Sequence, residues 1–227
     1  MPNSIEPVAT IQQYLARLRR LDSCAVSDAF DRLGLSGVVS GVPQQSGNRR
    51  IAGVAVTLKL DTGAPASHPP RHLGTAAIEA AGPDNVIVIE QHTGIVAGCW
   101  GGLLTLGAQV RGVAGVIADG PVRDIDEART LDFPIFTRAL TAVTARGRLV
   151  ERATNVPVSA WGIEVQPGDY VIADGSAVVF IPAGDVARVL EVAENIAARE
   201  ARMAKAIHAG EPISQVMGAQ YESMLKG

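Results

Sequence analysis

Apolar residues recur at the spacing of an amphipathic helix in three parts of the chain, residues 11–21, 24–33 and 186–208. Successive apolar positions there are three or four residues apart, which is the period of one helix face. Ser23 is the predicted N-cap of the second helix and Asp185 that of the third, because short polar side chains satisfy the free N–H groups of a first turn. The pattern therefore predicts helices near both ends of the chain.

Between these helices, short apolar runs are separated by Gly, Pro and Asp, a pattern typical of strands. The predicted strands are residues 51–60, 86–90, 113–118, 134–137, 170–173 and 177–181, the last two forming a hairpin across Asp174-Gly175-Ser176. Shorter helices are predicted over residues 71–81 and 103–110 and from Asp124 onward, with a loop over residues 36–50. Strands thus alternate with helices, then cluster, and a helix closes the chain. This order predicts an α/β layered fold with one compact core, as a single domain over residues 1–227.

The composition of the 227 residues is that of a globular protein, with 47% hydrophobic and 19% charged residues. The formal net charge is −3, from 20 basic and 23 acidic residues, whereas a general nucleic-acid binder normally has a basic excess. Two cysteines outside any CxxC pattern argue against a disulfide framework. The sequence has no apolar stretch of about 18 residues and no secretory signal at its start, so we expect a cytoplasmic protein without a membrane partner.

A glycine-rich turn, Gly98-Cys99-Trp100-Gly101-Gly102, leads into the helical pattern of residues 103–110. The N–H groups at a helix N-terminus carry partial positive charge, and glycine lets an anion approach them closely. The candidates for binding a carboxylate or phosphate are therefore the backbone amides of Gly101, Gly102, Leu103 and Leu104. The alternative is that the glycines only form a tight turn.

A second polar segment, Asp119-Gly120-Pro121-Val122-Arg123-Asp124, follows the strand predicted at residues 113–118. Ligands usually bind at strand ends in α/β folds. Arg123 offers a fork for a substrate carboxylate, and Asp124 offers a hard oxygen ligand for Mg²⁺. The alternative is structural: Asp124 caps a helix, Glu127 completes a capping box, and Arg123 pairs with a surface acid.

Glu200 falls on the apolar stripe of the last predicted helix, four residues after Ile196 and three before Met203. Neither Lys nor Arg lies three or four residues from it, so no helical ion pair explains its charge. A carboxylate turned toward protein needs a partner, either a buried cation or a metal-bound water. The alternative is a solvated position at the edge of a broad, alanine-rich stripe.

From Trp100-Gly101-Gly102-Leu103-Leu104 through residues 111–116 to Asp119-Gly120-Pro121-Val122-Arg123-Asp124, the chain resembles the RraA-like family. The likeness extends to Val26-Ser27-Asp28-Ala29 and to the closing helix around Arg199-Glu200-Ala201, so it covers most of the chain. The family contains the class II 4-hydroxy-4-methyl-2-oxoglutarate / 4-carboxy-4-hydroxy-2-oxoadipate aldolases and the regulator of ribonuclease E activity.

The resemblance implies a swivelling β/β/α fold, assembled as trimers or hexamers with sites between neighbouring subunits. It implies that Asp124 holds a divalent metal, Mg²⁺, Mn²⁺ or another, and that Arg123 grips the carboxylate of a pyruvate unit. The backbone amides from Gly101 to Leu104 bind the same unit. Glu200 matches a glutamate that the next subunit contributes to order the waters at the metal.

The activity that the resemblance implies is that of a metal-dependent carbon–carbon lyase. It would cleave a 4-hydroxy-2-oxo acid, decarboxylate oxaloacetate, or both, through the enolate of pyruvate. Many aldolases of the family have an acid where this chain has Gly102, which leaves Glu200, Asp119 or another group to handle the proton. The expected partners are a small 2-oxo acid and further copies of the chain.

The alternative function is that of a non-catalytic, protein-binding regulator similar to the ribonuclease E inhibitor. Asp124 argues against this role, because the regulator branch of the family lacks the metal-binding aspartate.

Overall fold

The computed structural model describes residues 8–64 and 71–218. The helices are α1 (Val8–Leu18), α2 (Ser23–Leu33), α3 (Thr75–Ala80), α4 (Gly102–Val110), α5 (Ile125–Thr130), α6 (Val186–His208) and α7 (Ile213–Val216). The strands are β1 (Val38–Ser40), β2 (Gln44–Ser46), β3 (Ile51–Asp61), β4 (Asn85–Glu90), β5 (Gly115–Asp119), β6 (Ile135–Thr137), β7 (Val150–Thr154), β8 (Val158–Ala160), β9 (Ile163–Val165), β10 (Tyr170–Ala173) and β11 (Ala177–Ile181). The predicted mixed α/β fold with a long C-terminal helix is confirmed.

Within the described residues, nine strands form one sheet in the order β1-β11-β10-β3-β4-β5-β6-β2, and β7 pairs with the end of β3. Strands β3, β4, β5 and β6 are parallel and are joined through α3, α4 and α5, because parallel neighbours need a crossover. The remaining pairs are antiparallel, and β8 and β9 form a separate hairpin. The carboxyl ends of the parallel strands meet at one edge, where α/β folds bind ligands.

The apolar residues of the central strands point alternately to two different cores. Ile87 and Ile89 of β4 belong to a cluster with α3, α4 and α5, whereas Val86 and Val88 belong to a cluster with the β8–β9 hairpin. A third cluster packs α1, α2 and α6 against β10 and β11. The core of the fold is therefore divided into three clusters, because a sheet covered on both faces separates the apolar residues that it buries.

Of the two predicted N-caps, Ser23 is wrong and Asp185 is right in position only, although both helices are present. Asp22, not Ser23, is the N-cap of α2, and its Oδ1 accepts a hydrogen bond of 2.8 Å from the N–H of Ala25. The side chain of Asp185 does not cap α6 and instead accepts from Nε of Arg188 at 2.8 Å. The bounds of α6 itself are those predicted.

Several short elements differ from the prediction. The predicted loop over residues 36–50 contains β1 and β2, and β7 was not predicted. The helix predicted at residues 71–81 is limited to α3. Strands of three residues are too short to show a hydrophobic period, so only their pairing partners in the sheet reveal them. No helix in the described part of the chain combines the length and the apolar character that crossing a membrane requires.

Candidate functional site

Two loops at the carboxyl edge of the sheet pair through their backbones, and this pairing builds the site. The N–H of Cys99 donates to the carbonyl of Pro121 at 2.8 Å, and the N–H of Arg123 donates to the carbonyl of Trp100 at 3.0 Å. Trp100 is buried, and its Nε1 donates to Oγ1 of Thr105 at 3.0 Å, which fixes the turn to the start of α4. The loops that follow β4 and β5 are thereby held side by side.

Three glycines of the first loop make room for side chains of the second. A Cβ on Gly98 would lie 2.8 Å from Cγ of Arg123, and a Cβ on Gly101 would lie 2.9 Å from Oδ2 of Asp124. A Cβ on Gly102 would overlap the carboxylate of Glu127. None of the three has φ in the left-handed region, so space and not backbone conformation requires glycine at these positions. The glycine turn is thus shaped around the second loop.

Asp124 closes the N-terminus of α4. Its Oδ2 accepts from the N–H of Gly102 at 3.1 Å, and both of its carboxylate oxygens accept from Nε of Arg123 at 3.1 Å. Asp124 has φ of 56°, a left-handed conformation that is uncommon outside glycine and is often found at functional sites. The strain indicates that the position of this carboxylate is important to the protein.

The predicted capping box is absent. Asp124 occupies the N-cap position of α5, but its side chain makes no capping hydrogen bond there. The carboxylates of Asp124 and Glu127 are both turned toward α4, the neighbouring helix. The capping box of the structural alternative is therefore wrong, because the side chain of Asp124 accepts from the glycine turn and not from its own helix. The expected pairing of Arg123 with an acid is present, and the acid is Asp124 itself.

A cavity of about 160 Å³ lies over the glycine turn and is lined by Gly98, Trp100, Gly101, Gly102, Leu103, Leu104, Arg123 and Asp124, together with residues from the loops before α3 and β7. The first N–H groups of a helix have no partner within it. Asp124 uses the N–H of Gly102, which leaves those of Leu103 and Leu104 directed at the cavity end of α4. Five of the predicted site residues therefore surround one cavity with Arg123.

Asp124 is the carboxylate positioned to hold a divalent cation. Its side chain is 31% exposed beside the cavity. Within residues 8–64 and 71–218, no group of three or more His, Cys, Asp or Glu side chains converges as a metal cage. Mg²⁺ is commonly held by one or two carboxylates, with water and substrate completing its shell, whereas zinc requires three or four protein ligands. The donor set fits Mg²⁺ or a similar hard cation.

A second cavity of about 780 Å³ adjoins the first, and the two share His72, Leu73, Ala145 and Arg146. Its lining includes four arginines, Arg71, Arg146, Arg148 and Arg152. Among the described residues that line it, Glu151 is the acid, and its Oε2 accepts from the N–H of Gly74 at 2.8 Å. Arg71 and Arg152 form ion pairs with Glu79 and Asp61, so the positive charge that favours anionic groups in this cavity is that of Arg146 and Arg148.

Comparison with known proteins identifies the family. A sequence model of the RraA-like family, described as Aldolase/RraA, matches residues 23–180, more than two thirds of the chain. The chain belongs to the RraA-like family. The matched region includes the glycine turn, Arg123 and Asp124, but ends before α6.

Two curated relatives illustrate this membership. The chain is 29% identical over 195 residues to the Halalkalibacterium halodurans protein named "Putative 4-hydroxy-4-methyl-2-oxoglutarate aldolase", covering 86% of this chain and 88% of that one. It is 28% identical over 212 residues to Protein DlpA of Legionella pneumophila. That match covers 91% of this chain but 33% of DlpA, so the chain spans about one third of the length of this relative.

Two solved structures share the RraA-like fold over nearly the whole chain. An uncharacterized protein from Pseudomonas syringae pv. tomato superposes with a TM-score of 0.81 at 30% identity, covering 95% of this chain and 97% of that one. RraAS2 of Streptomyces coelicolor, described as an unusual member of the RNase ES inhibitor RraA protein family, superposes with a TM-score of 0.74 at 27% identity. That superposition covers 84% of this chain and 97% of RraAS2.

Within a single chain, Glu200 lies outside the cavity over the glycine turn. The buried stripe of α6 ends at Ile196, and Glu200, one turn further, is exposed. Desolvation beside α2 raises the pKa of Glu200, and the charges of Asp28 on α2 and of Asp22 at its N-cap raise it further. The predicted apolar stripe therefore does not continue as a buried face to Ile207. Within one chain, Glu200 faces α2 and not the glycine turn.

Asp119, the other predicted acid of this region, has a structural role. Its Oδ2 accepts from the N–H of Trp161 at 2.6 Å and lies 2.5 Å from Nε2 of His92. Glu90, its neighbour across the β4–β5 ladder, accepts from the N–H of Ser159 at 2.7 Å. Both carboxylates anchor the β8–β9 hairpin. Sequence spacing gave no sign of these contacts, because they join segments about 40 to 70 residues apart.

Cys99 lies beneath the second loop and is not a nucleophile. It is buried, and a Cβ on Gly120 would lie 3.2 Å from its Sγ. Burial raises the pKa of the Cys99 thiol to about 12, so it remains protonated at neutral pH. The polar groups at the cavity are therefore Arg123, Asp124 and the backbone amides of the glycine turn.

Proposed function

We propose that this chain is a divalent-metal-dependent carbon–carbon lyase that acts on a 2-oxo acid and releases pyruvate. The observation that carries the proposal is the pairing of Arg123 with a strained Asp124 at the N-terminus of α4, beside a small cavity. The curated relative named as a putative 4-hydroxy-4-methyl-2-oxoglutarate aldolase supports the reaction class. The reaction is retro-aldol cleavage of a 4-hydroxy-2-oxo acid, decarboxylation of oxaloacetate, or both.

Arg123 and the backbone amides bind the carboxylate of the substrate. Nε of Arg123 is directed at Asp124, which leaves its two terminal nitrogens available for a bidentate contact. The N–H groups of Leu103 and Leu104 face the same space and add the partial positive charge of the α4 N-terminus. These contacts would hold the carboxylate end of the 2-oxo acid in the cavity that Asp124 lines.

Asp124 is the residue that would hold the metal. A divalent cation bound there would act as a Lewis acid toward the 2-oxo group and stabilise the negative charge of the enolate. Arg123 fixes the orientation of the Asp124 carboxylate, and the N–H of Gly102 holds one of its oxygens. Both contacts keep the carboxylate in place before substrate arrives.

The larger cavity supports a substrate with a second acidic group. Pyruvate or oxalate is accommodated by the smaller cavity, whereas the adjoining cavity of about 780 Å³ offers room and positive charge for a longer, dianionic molecule. Arg146 lines both cavities and is the cation nearest to their junction. We therefore expect an oxo diacid, such as the 4-hydroxy-4-methyl-2-oxoglutarate in the names of the relatives, as the preferred substrate class.

The proposal includes assembly into a homo-oligomer, a trimer or a hexamer, in which Glu200 enters the site of the neighbouring subunit. The outer face of α4 carries exposed Leu103, Leu106 and Val110, and Val96 is exposed in the loop before it. Exposed apolar side chains at helical spacing are typical of subunit contacts. This face borders the glycine turn, so a second copy of the chain bound there would lie beside the cavity.

The test is pyruvate release by the purified protein from oxaloacetate and from 4-hydroxy-4-methyl-2-oxoglutarate. We expect release that requires Mg²⁺ or Mn²⁺, stops with EDTA, saturates with substrate and exceeds the rate with free metal. The absence of release above the metal background for both substrates would contradict the proposal. The alternative, a protein-binding regulator, is less well supported because such a role has no need of a strained aspartate beside an arginine in a cavity.

A further inference from the structure

The carboxylate of Glu127 occupies the space that a side chain at position 102 would need. A Cβ on Gly102 would overlap Oε2 of Glu127 and would lie 2.7 Å from its Cδ and 3.3 Å from Cβ of Asp124. Gly102 is buried at the first position of α4, and Glu127 is on the first turn of α5. Any residue larger than glycine at position 102 would therefore displace the Glu127 carboxylate.

Glu127 is exposed on the first turn of α5, and no side-chain partner in the described part of the chain fixes the position of its carboxylate. Its neighbour Asp126 forms an ion pair of 2.9 Å with Arg129 on the same helix. Among residues 8–64 and 71–218, no hydrogen bond or ion pair of the Glu127 carboxylate is present, and the capping box in which it could take part is not formed. The partial positive charge at the N-terminus of α4 favours a carboxylate there.

Arg123, Asp124 and Glu127 follow one another along the glycine turn. Arg123 lies against Gly98 and Gly101, whereas Asp124 lies between it and Glu127. Glu127 lines an open cavity of about 490 Å³ that shares Arg123 and Asp124 with the small cavity over the turn. Glu127 lines only the second of these cavities, and Arg123 and Asp124 form the wall that it shares with the small cavity.

We propose that Glu127 is the carboxylate that carries the proton in the lyase reaction, an assignment that rests on the proposed function. Glu127 accepts the proton of the 4-hydroxyl group, directly or through one water, while the bond between C3 and C4 breaks. The electron pair of that bond becomes the enolate, and the former 4-hydroxyl carbon leaves as a carbonyl. Glu127 then returns the proton to C3, which yields pyruvate and regenerates the carboxylate.

The test compares Glu127→Gln, which keeps the shape but not the proton acceptor, with Asp126→Asn, which makes the same charge change at the adjacent exposed position. General acid–base groups contribute about 10²–10⁴-fold to rate. We expect kcat of Glu127→Gln to fall by about 10²-fold or more with KM nearly unchanged, and the dependence of kcat on pH to change. Oxalate binding in the presence of Mg²⁺, measured by calorimetry, should not change. Asp126→Asn should behave as the wild type.

A relocated carboxylate provides a second test that does not depend on one variant folding well. Gly102→Asp alone should displace the exposed carboxylate of Glu127 with little change in Tm, because the overlap is with the end of a flexible side chain. In Gly102→Asp/Glu127→Ala, the overlap is removed, and activity should exceed that of Glu127→Ala at least tenfold. If the wild type is active, a Glu127→Gln variant that is equally active, together with the absence of this rescue, would overturn the assignment of Glu127 but not the proposed function. A wild type without activity would instead contradict the proposed function.

Discussion

The N–H of Gly102 donates a hydrogen bond of 3.1 Å to Oδ2 of Asp124, which lies 22 positions later in the sequence. This bond ties the N-terminus of α4 to the loop that follows β5. The same carboxylate also accepts from Arg123, so the candidate metal ligand is held from two directions. Its strained backbone is maintained by these contacts and by the backbone pairing of the two loops.

Asp124→Asn should abolish metal-dependent pyruvate release while preserving the assembly. Asparagine tolerates the left-handed conformation and keeps one oxygen to accept from Gly102, but its neutral amide is a poor ligand for Mg²⁺. We expect kcat/KM to fall by about 10²-fold or more, since even the outer partners of metal ligands contribute about 10–100-fold. Size-exclusion chromatography should show the wild-type oligomer. Turnover equal to that of the wild type would show that the metal is not held by Asp124.

Arg123→Lys should raise KM more than it lowers kcat. A lysine keeps the charge, but it has no planar fork with which to contact a carboxylate and Asp124 together. A charged hydrogen bond contributes about 1.5–3 kcal/mol, so we expect KM for oxaloacetate to rise by roughly 10–100-fold. Arg129→Lys is the matched control, since Arg129 is exposed and paired with Asp126. An unchanged KM would remove Arg123 from the substrate contacts.

Much of the fold, and the meeting of Arg123 and Asp124 with the glycine turn, were predictable from the sequence. The bounds of α6 and the positions of β3 and β4 follow from hydrophobic periods long enough to be distinctive. Arg123 and Asp124 were singled out because polar residues after a buried strand meet at one edge of a parallel sheet. Their approach to the glycine turn follows from β4 and β5 being neighbours, which alternating strands and helices already suggest.

The role of Gly102 and Glu127 was not predictable in the same way. Sequence patterns place both residues at helix starts, but their contact depends on how α4 and α5 pack. Many aldolases of the family have an acid at the position of Gly102. In this structure the carboxylate of Glu127 occupies the space beside that glycine. A glycine at the first position of a helix, where no left-handed conformation is required, was the available signal.

Asp174→Asn should destabilise the fold by uncoupling α2 from the β10–β11 turn. Asp174 accepts from the N–H of Ser23 at 2.8 Å and from its Oγ at 2.6 Å, and the N–H of Ser176 donates to it at 2.9 Å. Burial alone would raise the pKa of Asp174, but these hydrogen bonds outweigh it and lower the pKa. We expect a loss of about 2 kcal/mol and a Tm lower by roughly 4–8 °C at neutral pH.

The stabilisation of the fold by Asp174 should depend on pH. A folded pKa below the unfolded value of about 3.9 means that the stabilisation is present above that pH and is lost as pH falls through the folded pKa. The difference in Tm between wild type and Asp174→Asn should therefore be largest near neutrality and shrink in acid. Asp132→Asn, at an exposed position, is the control. A constant difference between pH 7 and 3 would contradict this account.

Arg146→Ala should weaken the binding of long substrates more than that of short ones. Arg146 lines both cavities, whereas Arg148 lines the larger one and donates to the carbonyl of Thr144. We expect Arg146→Ala to raise KM for a 4-hydroxy-2-oxo diacid by roughly tenfold, which corresponds to a loss of about 1.4 kcal/mol in binding free energy. The affinity for oxalate should not change. Arg148→Ala should have a smaller effect. Equal losses for the diacid and for oxalate would place Arg146 at the pyruvate end of the site.

Subunit mixing should reveal whether Glu200 acts in the neighbouring subunit. Asp124→Ala and Glu200→Ala each lack one component, and each homo-oligomer should be nearly inactive. If a site combines Asp124 of one chain with Glu200 of another, random assembly of equal amounts gives both wild-type residues at about one site in four, because each of the two chains has a one-half chance of being the required variant. We therefore expect dissociated and reassembled mixtures to recover about a quarter of wild-type activity.

A site built within one chain would recover none, since no chain in the mixture carries both residues. The exposed position of Glu200, with its pKa raised by desolvation beside α2 and by Asp28 and Asp22, suits a carboxylate that becomes buried and charge-paired only when a second subunit arrives.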